Sequence, residues 1–479
     1  MGKKVKIDRD KIIFKIRRRC RMRKVTWTLS GGLTCSEIEQ IHNAALQMID
    51  ETGILVSSKN AINILKGQQG VRIYNGNRVR ISPQRVVEIL GPFPKRPFIM
   101  QEKESFFISG YSLRCFDPET GRIRSSTAKD LVDFTKIAHA LGVKGCAIVM
   151  PQDMPQKLAE VATYKLCLDV SDRIYGAGIF SDAQVYDIVQ EIQCIIGDGY
   201  SCGMHMISPM AFDPFLLEMA LKYIPRKASF SVGNMPMRGT TCPISLPGAL
   251  AQSCAEVLGG AAILKMLGPE CEVSFSPFVY PFDMKYTTIV YGGPDFILGN
   301  LAIAQMAEFY GTTVMAKAFN TMGKLPDDAQ IGLTAAAAMI MALAGMKNFG
   351  WSGTCCIDEI ASVEQMIIQY EIFRAILHVK QGFEFDPNDL GVEIVRECAL
   401  QNTYIMHQLT VNNYRKQLFM SDIFSNETFA AWDSTGKPTI RDKARRKAIS
   451  LLASHSFQRD SAQQKELDAL WQKACKLFG

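Results

Sequence analysis

Residues 231–268 read SVGNMPMRGTTCPISLPGALAQSCAEVLGGAAILKMLG. They begin as the end of a strand, continue as a loop of Gly, Pro, Met and Thr, and finish as a long apolar helix. A loop of this composition is costly to order, and binding and catalytic residues concentrate in loops that a rigid scaffold holds. We therefore expect this loop to form part of a functional site.

Strand-like and helix-like runs alternate on both sides of this stretch. The predicted strands are residues 106–115, 145–150, 173–180, 202–208, 228–233, 271–276, 312–319 and 346–351. The predicted helices are residues 127–141, 157–169, 182–196, 214–224, 247–267, 295–310, 328–344 and 362–380. Eight such units predict an α/β protein with a TIM (β/α)8 barrel. An open doubly wound sheet is disfavoured because no GxGxxG or GxxxxGK[ST] turn follows the first strand.

Smaller segments flank the predicted barrel. Thr34 and Glu37 have the spacing of a capping box, Asn75-Gly76 separates two alternating runs as in a β-hairpin, and Ser82-Pro83 has the pattern of a helix start. The predicted domains are a basic N-terminal arm (1–29), a mixed α/β subdomain (30–98), the barrel (99–384) and a helical C-terminal extension (385–479).

Charge and composition limit the function classes. The formal net charge of the 479 residues is +7. Residues 1–24 carry +10 of net charge, so the remaining chain carries −3. Phe14 is the only aromatic residue before Trp27, which disfavours nucleic-acid binding by base stacking. The basic segment is therefore predicted to be a solvated or loosely packed arm, and contact with an acidic partner protein is the alternative.

Several features predict a cytoplasmic protein that does not enter a membrane. The longest apolar run, residues 335–346, is shorter than the roughly 20 residues that a membrane-spanning helix needs. The N-terminal residues lack the pattern of a secretory signal. The 14 cysteines have no framework spacing, as expected for reduced thiols.

The C-terminal ends of the predicted strands carry an unusual set of residues. In a (β/α)8 barrel these ends meet at the active site. Here they are rich in aromatic residues, Met and amides, and they contain few carboxylates and a single histidine, His205. This composition favours an apolar or cationic substrate over a phosphate.

Five segments resemble the trimethylamine methyltransferase family, whose members pass methyl groups to a corrinoid protein. They are GNMPMRGTTCPISLPGALAQSCAEVLGG, PFDMK with VYGGPD, NTMGKLPDDAQIG, SVEQMIIQYEI and ETFAAWDSTGKP. The resemblance implies a TIM barrel whose mouth receives a methylamine-type substrate and the cobalamin of a partner corrinoid protein. No permanently bound cofactor or metal is implied.

One departure from the founding members concerns the substrate. Those members carry pyrrolysine near the stretch that aligns with residues 350–357, which here read GWSGTCCI. The chain is thus similar to the non-pyrrolysine branch, which the resemblance associates with quaternary amines such as betaines. Thr354, Cys355 and Cys356 are unlike the pattern expected in that branch, so we expect this stretch to influence the choice of amine.

The chemistry of a quaternary amine suggests which residues bind it. Loss of a methyl group leaves a neutral tertiary amine, so no general acid is needed and no catalytic residue is predicted beyond positioning groups. Aromatic faces bind such cations, and the candidates are Phe180, Phe275, Tyr280, Phe282 and Trp351. The candidates for polar contacts to the substrate are Gln152, His205, Asn234, Arg238, Lys324 and Thr354. Met235, Met237 and Asn320 are the candidates for contact with the corrinoid of the partner.

Two alternatives stay open at this point. Cys355 and Cys356, with a third thiolate such as Cys242, could bind zinc and activate a thiol for methyl transfer. The chain could also be a barrel that binds a quaternary amine without catalysis. The apolar helices that flank the barrel favour a homo-oligomer in either case.

Overall fold

The computed structural model describes residues 22–95, 103–387, 390–399 and 403–479. They form two compact units. One comprises Leu29–Phe373 with Ile423–Gly479, and the other comprises Arg374–Asp422 with the segment that ends at Thr28. Most of the predicted basic arm, residues 1–21, lies outside the described residues. The predicted extension 385–479 is divided between the two units.

The smaller unit contains a short antiparallel pair and two helices, and the two units divide a further helix between them. The strands are β1 (Arg23–Val25) and β20 (Phe383–Phe385), and the helices are α12 (Val392–Cys398) and α13 (Gln408–Gln417). The boundary between the units falls inside α11 (Val363–Gln381).

The larger unit begins with the predicted helix and hairpin. Its first elements are α1 (Cys35–Glu51), β2 (Ile54–Leu55), α2 (Lys59–Leu65), β3 (Val71–Tyr74), β4 (Arg78–Ile81) and α3 (Pro83–Leu90). The capping box of Thr34 and Glu37, the hairpin turn at Asn75-Gly76 and the Ser82 cap are all confirmed. This segment is continuous with the main sheet, because β2 pairs with β11 (Ala211–Phe212).

Eight parallel strands follow. They are β5 (Ser105–Ile108), β8 (Lys144–Cys146), β9 (Ile174–Tyr175), β10 (Ser201–Ile207), β12 (Ser229–Asn234), β13 (Val273–Ser276), β16 (Met315–Ala316) and β17 (Asn348–Ser352). Each lies at a predicted strand. The helices between and after them are α4 (Ala128–Ala140), α5 (Gln156–Val170), α6 (Ala183–Ile195), α7 (Pro214–Tyr223), α8 (Leu246–Leu267), α9 (Pro294–Tyr310), α10 (Gln330–Leu343) and α11.

These strands form two parallel ladders. One has the order β16-β17-β5-β8-β9, and the other contains β13-β12-β10. The last strand of the series, β17, pairs with the first, β5, which is the pairing that a barrel requires. Ser276 Oγ and Thr312 Oγ1 donate to backbone oxygens across the junction between β13 and the approach to β16, at 2.8 and 2.6 Å. The observed architecture is therefore a mixed α/β fold with a partial barrel.

Two short antiparallel pairs follow β5 and β17 in the chain. β6 (Arg114–Phe116) and β7 (Ile123–Ser125) follow β5, and β18 (Thr354–Cys355) and β19 (Ile360–Ala361) follow β17. These four strands form one sheet in the order β18-β19-β6-β7. A further pair, β14 (Phe282–Asp283) and β15 (Thr288–Ile289), follows β13.

Helix α8 is the core of the larger unit. It is long and apolar enough to cross a membrane by length and composition, but 94% of its most apolar window is buried inside the fold. Among the described residues it is the one helix that meets this criterion. Gly260 lets α8 approach the sheet, because a Cβ there would lie 2.8 Å from the sulfur of Met206. The stretch that opens at β12 therefore supplies both a strand and the helix that packs on it.

The C-terminal helices of the larger unit pack on helices that flank the parallel strands. α14 (Phe429–Ser434) precedes α15 (Ile440–Ser454) and α16 (Ser461–Phe478). α15 packs on α4, and α16 packs on α5 and α6. Leu467 and Ala474 of α16 are buried in the cluster that includes Leu158 of α5.

Candidate functional site at the carboxyl ends of the strands

The loops that follow β12 and β13 are joined by backbone hydrogen bonds. The N–H of Arg238 donates to the carbonyl of Tyr280 at 2.9 Å, and the N–H of Tyr280 donates to the carbonyl of Pro236 at 3.0 Å. Met237 and Tyr280 thereby form an isolated parallel bridge. The loop of the opening stretch is thus fixed to the neighbouring loop, which carries aromatic residues.

A buried carboxylate organises the base of these loops. Glu256 of α8 is fully buried and accepts hydrogen bonds from Ser208 Oγ at 2.7 Å, Met210 N at 3.0 Å, Asn234 Nδ2 at 2.8 Å and Gln252 Nε2 at 2.9 Å. Four donors satisfy a charge that would otherwise be costly to bury. Glu256 therefore links the ends of β10 and β12 to α8.

Asn234, at the end of β12, connects this carboxylate to the aromatic loop. Besides Glu256, its Nδ2 donates to the carbonyl and the hydroxyl of Ser253, at 3.1 Å each. Its Oδ1 accepts a hydrogen bond of 3.0 Å from the backbone N–H of Phe278. Asn234 is 3% exposed. Its amide is engaged within the protein, and it holds Phe278 in place.

Three aromatic rings surround the ammonium group of Lys317. The nitrogen lies 3.9 Å from the ring centroid of Phe278, 5.0 Å from that of Tyr280 and 4.2 Å from that of Trp351. It also donates a hydrogen bond to the hydroxyl of Tyr280. We call Phe278, Tyr280 and Trp351 the aromatic box. These residues follow β13 or lie in β17, and Lys317 follows β16, so neighbouring strand ends supply the whole group.

Trp351 reaches the box because β17 contains a bulge. Phe349 pairs with Phe106, but the next paired residue, Ser352, is opposite Ile108, so β17 has one extra residue. Trp351 has a φ of 59°, a left-handed conformation that costs free energy for a bulky side chain. Backbone outliers of this kind cluster at functional sites.

The loop after β18 shows the same kind of strain. Cys356 and Ile357 have φ values of 52° and 69°. Their N–H groups donate to the carbonyls of Gly323 and Thr321, at 2.7 and 2.9 Å. This loop is therefore tied to the loop after β16, and it places Asp358 beside Thr354, whose hydroxyl donates to the carboxylate at 3.3 Å.

Lys317 and Asp358 are the buried titratable pair of the site. Burial lowers the pKa of Lys317 to about 7, and the negative charge of Asp358 opposes that shift. Burial raises the pKa of Asp358 to about 6, and the positive charge of Lys317 opposes that shift. Burial and the charge of Asp358 raise the pKa of Tyr111. Desolvation thus makes the charged form of each member less stable than it would be in water.

Strands β10 and β12 have one face that packs on α8 and a second face that carries glycine and polar residues. Met206 and Val232 point toward α8, so the alternate positions face away from it. Among those positions, a Cβ added at Gly203 or Gly233 would meet no atom within 4 Å. His205 is paired with Gly233 and is exposed. Partial desolvation and then the charge of Lys317 lower the pKa of His205.

The five aromatic residues that were predicted to bind the cation do not all lie together in the structure. Tyr280 and Trp351 are brought together in the aromatic box. Phe275 is buried in the core cluster that contains α8, and its ring centroid lies 5.8 Å from that of Tyr310. Phe180 stacks on Tyr164 at 6.3 Å. Phe282 is half-buried in β14. The box thus contains two of the predicted aromatic residues and one that the sequence interpretation missed.

The predicted polar contacts are also dispersed. Arg238 donates to the carbonyl of Ile244 at 2.9 Å and forms an ion pair with Asp295 at 3.3 Å, so it holds its own loop. Lys324 is exposed and donates to the sulfur of Cys356 at 3.0 Å. Gln152 is exposed and donates to the carbonyls of Met150 and Pro151. Their roles in substrate binding stay predictions.

The three residues predicted to contact a corrinoid lie in different environments. Met235 is 45% exposed. Met237 packs against the cluster of Tyr280, Tyr291 and Phe296. Asn320 is fully buried, and neither its amide nitrogen nor its amide oxygen has a hydrogen-bond partner among the described residues. Their contact with a corrinoid stays a prediction.

The paired cysteines do not lie in a metal-binding cluster of the described chain. Cys355 is buried beside Phe116 and Ile360, and burial raises the pKa of its thiol. Cys242 is buried in the core cluster of α8. Within the ranges that the structure describes, no group of three or more His, Cys, Asp or Glu side chains is placed to hold a metal ion. All 13 cysteines in those ranges are free.

Phe278, Lys317 and Asp358 were missed by the sequence interpretation. Phe278 and Tyr280 have the spacing of one strand face, in the sequence FSPFVYP directly after a predicted strand, which was a usable signal. Lys317 lies inside a run that was predicted as strand, where a buried lysine is rare. Asp358 directly follows the stretch 350–357, and no local pattern marks it.

A separate cavity of ≈ 400 Å³ opens at the other end of the strands. Its wall includes Gly31, Gln305, Val314 and Asn348. Val314 precedes β16 and Asn348 begins β17, so the cavity lies at the amino ends of these strands. It is not part of the site around Lys317.

Comparison with known proteins identifies the class of enzyme as a methyltransferase. The chain is 22% identical over 448 residues to trimethylamine methyltransferase MttB of Desulfitobacterium hafniense (strain DSM 10664 / DCB-2), which covers 89% of this chain and 90% of the relative. It is also 22% identical over 451 residues to the glycine betaine methyltransferase of strain Y51 of that species, covering 88% of this chain and 92% of the relative.

The chain belongs to the trimethylamine methyltransferase (MTTB) family, because the model of that family matches residues 30–474. The resemblance seen in the sequence is thereby confirmed, and so is the prediction that the protein is a methyltransferase. Among solved structures, the monomethylamine methyltransferase of Methanosarcina barkeri aligns with a TM-score of 0.41 at 11% identity, covering 88% of each chain.

Proposed function

We propose that this methyltransferase moves a methyl group from a quaternary amine of betaine type to the cobalt of a corrinoid carried by a partner protein. We also propose that its eight parallel strands act as a closed (β/α)8 barrel. The single observation that carries the proposed substrate is the aromatic box. Its rings surround an alkylammonium group at 3.9–5.0 Å, at the ends of strands where barrel enzymes bind substrates.

The barrel is supported by strand order. The two ladders place the strands in the cyclic sequence that a barrel would have, and β17 already pairs with β5. The side-chain hydrogen bonds of Ser276 and Thr312 support the approach of β13 to β16. Among the described residues, backbone ladders are absent from this junction and from the junction between β9 and β10.

A quaternary amine suits the aromatic box for a chemical reason. Such a nitrogen has no N–H group to donate, so it is recognised by aromatic faces and by diffuse charge. After demethylation the departing tertiary amine is neutral, so the protein need not supply a proton in that step. Residues 350–357 are ordinary amino acids. This agrees with a substrate that needs orientation and exclusion of water more than covalent activation.

The corrinoid would supply a cobalt nucleophile that gives an electron pair to the methyl carbon, while the C–N pair stays on the departing amine. The residues around the site fit such a partner in two respects. Gly203 and Gly233 leave open space on the face that carries His205. The loops around the strand ends expose apolar side chains, including Met235 at 45%, Ile244 at 67% and Met284 at 61%. Exposed apolar groups in one region are typical of an interaction surface.

The partner and compartment are proposed on the same basis. A strongly reducing cobalt centre suits the cytoplasm, where the free thiols of the described chain would persist. We expect no contact with nucleic acid and no association with a membrane. The predicted homo-oligomer stays a prediction.

Methyl transfer can be tested directly with reduced corrinoid protein. The purified enzyme would be mixed with that protein and, separately, with glycine betaine, carnitine, tetramethylammonium, trimethylamine and dimethylamine, and methylation would be followed by corrinoid absorbance. We expect methylation from at least one quaternary amine and none from dimethylamine. Transfer from trimethylamine, with none from any quaternary amine, would reject the proposed substrate class.

Metal analysis tests the zinc alternative. About one zinc per chain that is lost when Cys355 and Cys356 are both replaced by Ser would replace the present proposal with a zinc-activated thiol as methyl acceptor. The non-catalytic alternative has lost its support because the family consists of methyltransferases.

A further inference from the structure

Lys317 fills the aromatic box so completely that a second cation cannot share it. Its nitrogen lies about equally close to the ring centroids of Phe278, at 3.9 Å, and Trp351, at 4.2 Å, and it donates a hydrogen bond to the hydroxyl of the third ring, Tyr280. The residue is 6% exposed. Two positive charges a few ångströms apart inside a poorly hydrated site repel each other strongly.

We propose that Lys317 is a built-in competitor for the cation site, and that the quaternary nitrogen of the substrate takes its place between Phe278 and Trp351. This inference rests on the proposed function. The box is then the cation site of the enzyme, and Lys317 determines which cations displace it. A substrate with a dispersed charge and a large apolar surface gains more from the three rings than the compact lysine ammonium does.

When the substrate displaces Lys317, the positive charge of the lysine can be lost by release of its proton. Four titratable groups interact with Lys317 or with its charged neighbour. The hydroxyl of Tyr280 accepts its hydrogen bond, the charge of Asp358 raises its pKa, and its own charge lowers the pKa of His205. The charge of Asp358 also raises the pKa of Tyr111. Burial already lowers the pKa of Lys317 to about 7, so loss of its proton is easy near neutral pH. As a neutral amine, Lys317 no longer repels the substrate, and Asp358 can carry a compensating negative charge.

An alternative role of Lys317 makes the opposite prediction. If its ammonium group bound the carboxylate of a betaine, its removal would weaken betaine binding and leave tetramethylammonium unaffected. The contacts favour competition between Lys317 and the substrate cation over binding of a carboxylate by Lys317. The three rings and the Tyr280 hydroxyl already surround the lysine nitrogen. Tetramethylammonium is therefore the deciding probe, since it has a quaternary nitrogen and no carboxylate.

The test compares the affinity of wild type, Lys317→Ala and Lys144→Ala for tetramethylammonium by calorimetry. Lys144 is the matched control, because it is an exposed lysine at the amino end of β8. We expect Lys317→Ala to bind tetramethylammonium at least about tenfold more tightly than wild type, and Lys144→Ala to bind like wild type. Equal or weaker binding by a folded Lys317→Ala would overturn the inference.

A second measurement needs no variant. Titration of wild type at pH 6 in buffers of different ionisation enthalpy should reveal proton release when tetramethylammonium binds, and no release would also count against the exchange. Failure of the proposed function has a different signature. In that case neither wild type nor Lys317→Ala binds any quaternary amine, whereas failure of this inference alone leaves wild-type binding and demethylation intact.

Discussion

The side-chain oxygen of Asn234 accepts a 3.0 Å hydrogen bond from the backbone N–H of Phe278. This bond connects the end of β12 to one ring residue of the aromatic box, and Asn234 itself is buried. Asn234 is thus a positioning residue in the proposed site. Its partner on the other side, Glu256, extends the same connection to α8.

Replacement of Asn234 should disturb both stability and the box. Asn234→Ala removes donors to Glu256 and Ser253 and the acceptor for Phe278, so we expect a loss of about 1–3 kcal/mol in the free energy of unfolding. We also expect weaker binding of tetramethylammonium, measured by calorimetry. Asn77→Ala, at an exposed residue of the first hairpin, is the control. Unchanged binding in Asn234→Ala would show that Phe278 holds its position without this bond.

Replacement of Glu256 by Gln tests the buried carboxylate itself. All four of its partners donate hydrogen bonds, so the NH2 group of Gln must face a donor and leave it unpaired. We expect a loss of about 2–3 kcal/mol in the free energy of unfolding, measured with urea. Exposed Glu218→Gln on α7 should change it by less than about 0.5 kcal/mol. Equal stability of Glu256→Gln and wild type would contradict the assigned network.

Cation binding should strengthen as the pH rises through about 7. The pKa of Lys317 is lowered to about 7, so its positive charge is present below that pH and lost above it. The pKa of Asp358 is raised to about 6, so its negative charge appears over the lower part of the same range. Both changes favour a bound cation. Affinity for tetramethylammonium measured from pH 5.5 to about 8.5 checks this prediction.

Two variants separate the contributions. Asp358→Asn should leave the lysine step but move it below about 7, because the carboxylate that favours the charged lysine is gone. Lys317→Met should leave only the carboxylate step and move it above about 6, because the lysine charge no longer lowers the pKa of Asp358. A wild-type affinity that does not vary with pH would exclude both groups from the cation site. The stability of the free enzyme should also rise with pH between about 7 and 10.5, because only the unfolded chain then holds the lysine proton.

Trp351 should contribute measurably to binding of a quaternary cation. Loss of one aromatic face costs about 0.5–2 kcal/mol, so Trp351→Ala should weaken tetramethylammonium binding by roughly 2- to 30-fold. Trp351→Phe should retain part of the affinity, because a face remains. Trp27→Ala, at a residue that is 56% exposed in the smaller unit, is the matched control. Equal affinities of Trp351→Ala and wild type would place the cation elsewhere.

The sequence predicted local structure and strand number well because both depend on short-range patterns. Asn75-Gly76 adopts the predicted turn since both residues reach positive φ, and each predicted strand-helix unit is present. Domain boundaries were harder. The C-terminal helix α16 packs on α5 and α6, and no pattern within its own sequence specifies that contact.

The composition of the box could be predicted only in part. Phe275 and Phe278 both follow the pattern of an aromatic residue near a strand end, but they lie on different sides of the chain. Phe275 alternates toward the helices, whereas Phe278 lies beyond the strand, where its N–H donates a hydrogen bond to Asn234 and so fixes its backbone. Trp351 points to the box because of a bulge, which adds a residue and changes the alternation. Lys317 escapes prediction because its burial depends on rings that are distant in sequence.

The extra residue of β17 makes the box sensitive to chain length. Gly350 leaves no room for a side chain, since a Cβ there would lie 2.0 Å from the sulfur of Met315. Deletion of Gly350 would restore regular pairing with β5 and turn the indole ring of Trp351 to the other side of the strand. Related enzymes could therefore diverge in substrate through a single insertion or deletion in this strand, with the surrounding scaffold unchanged.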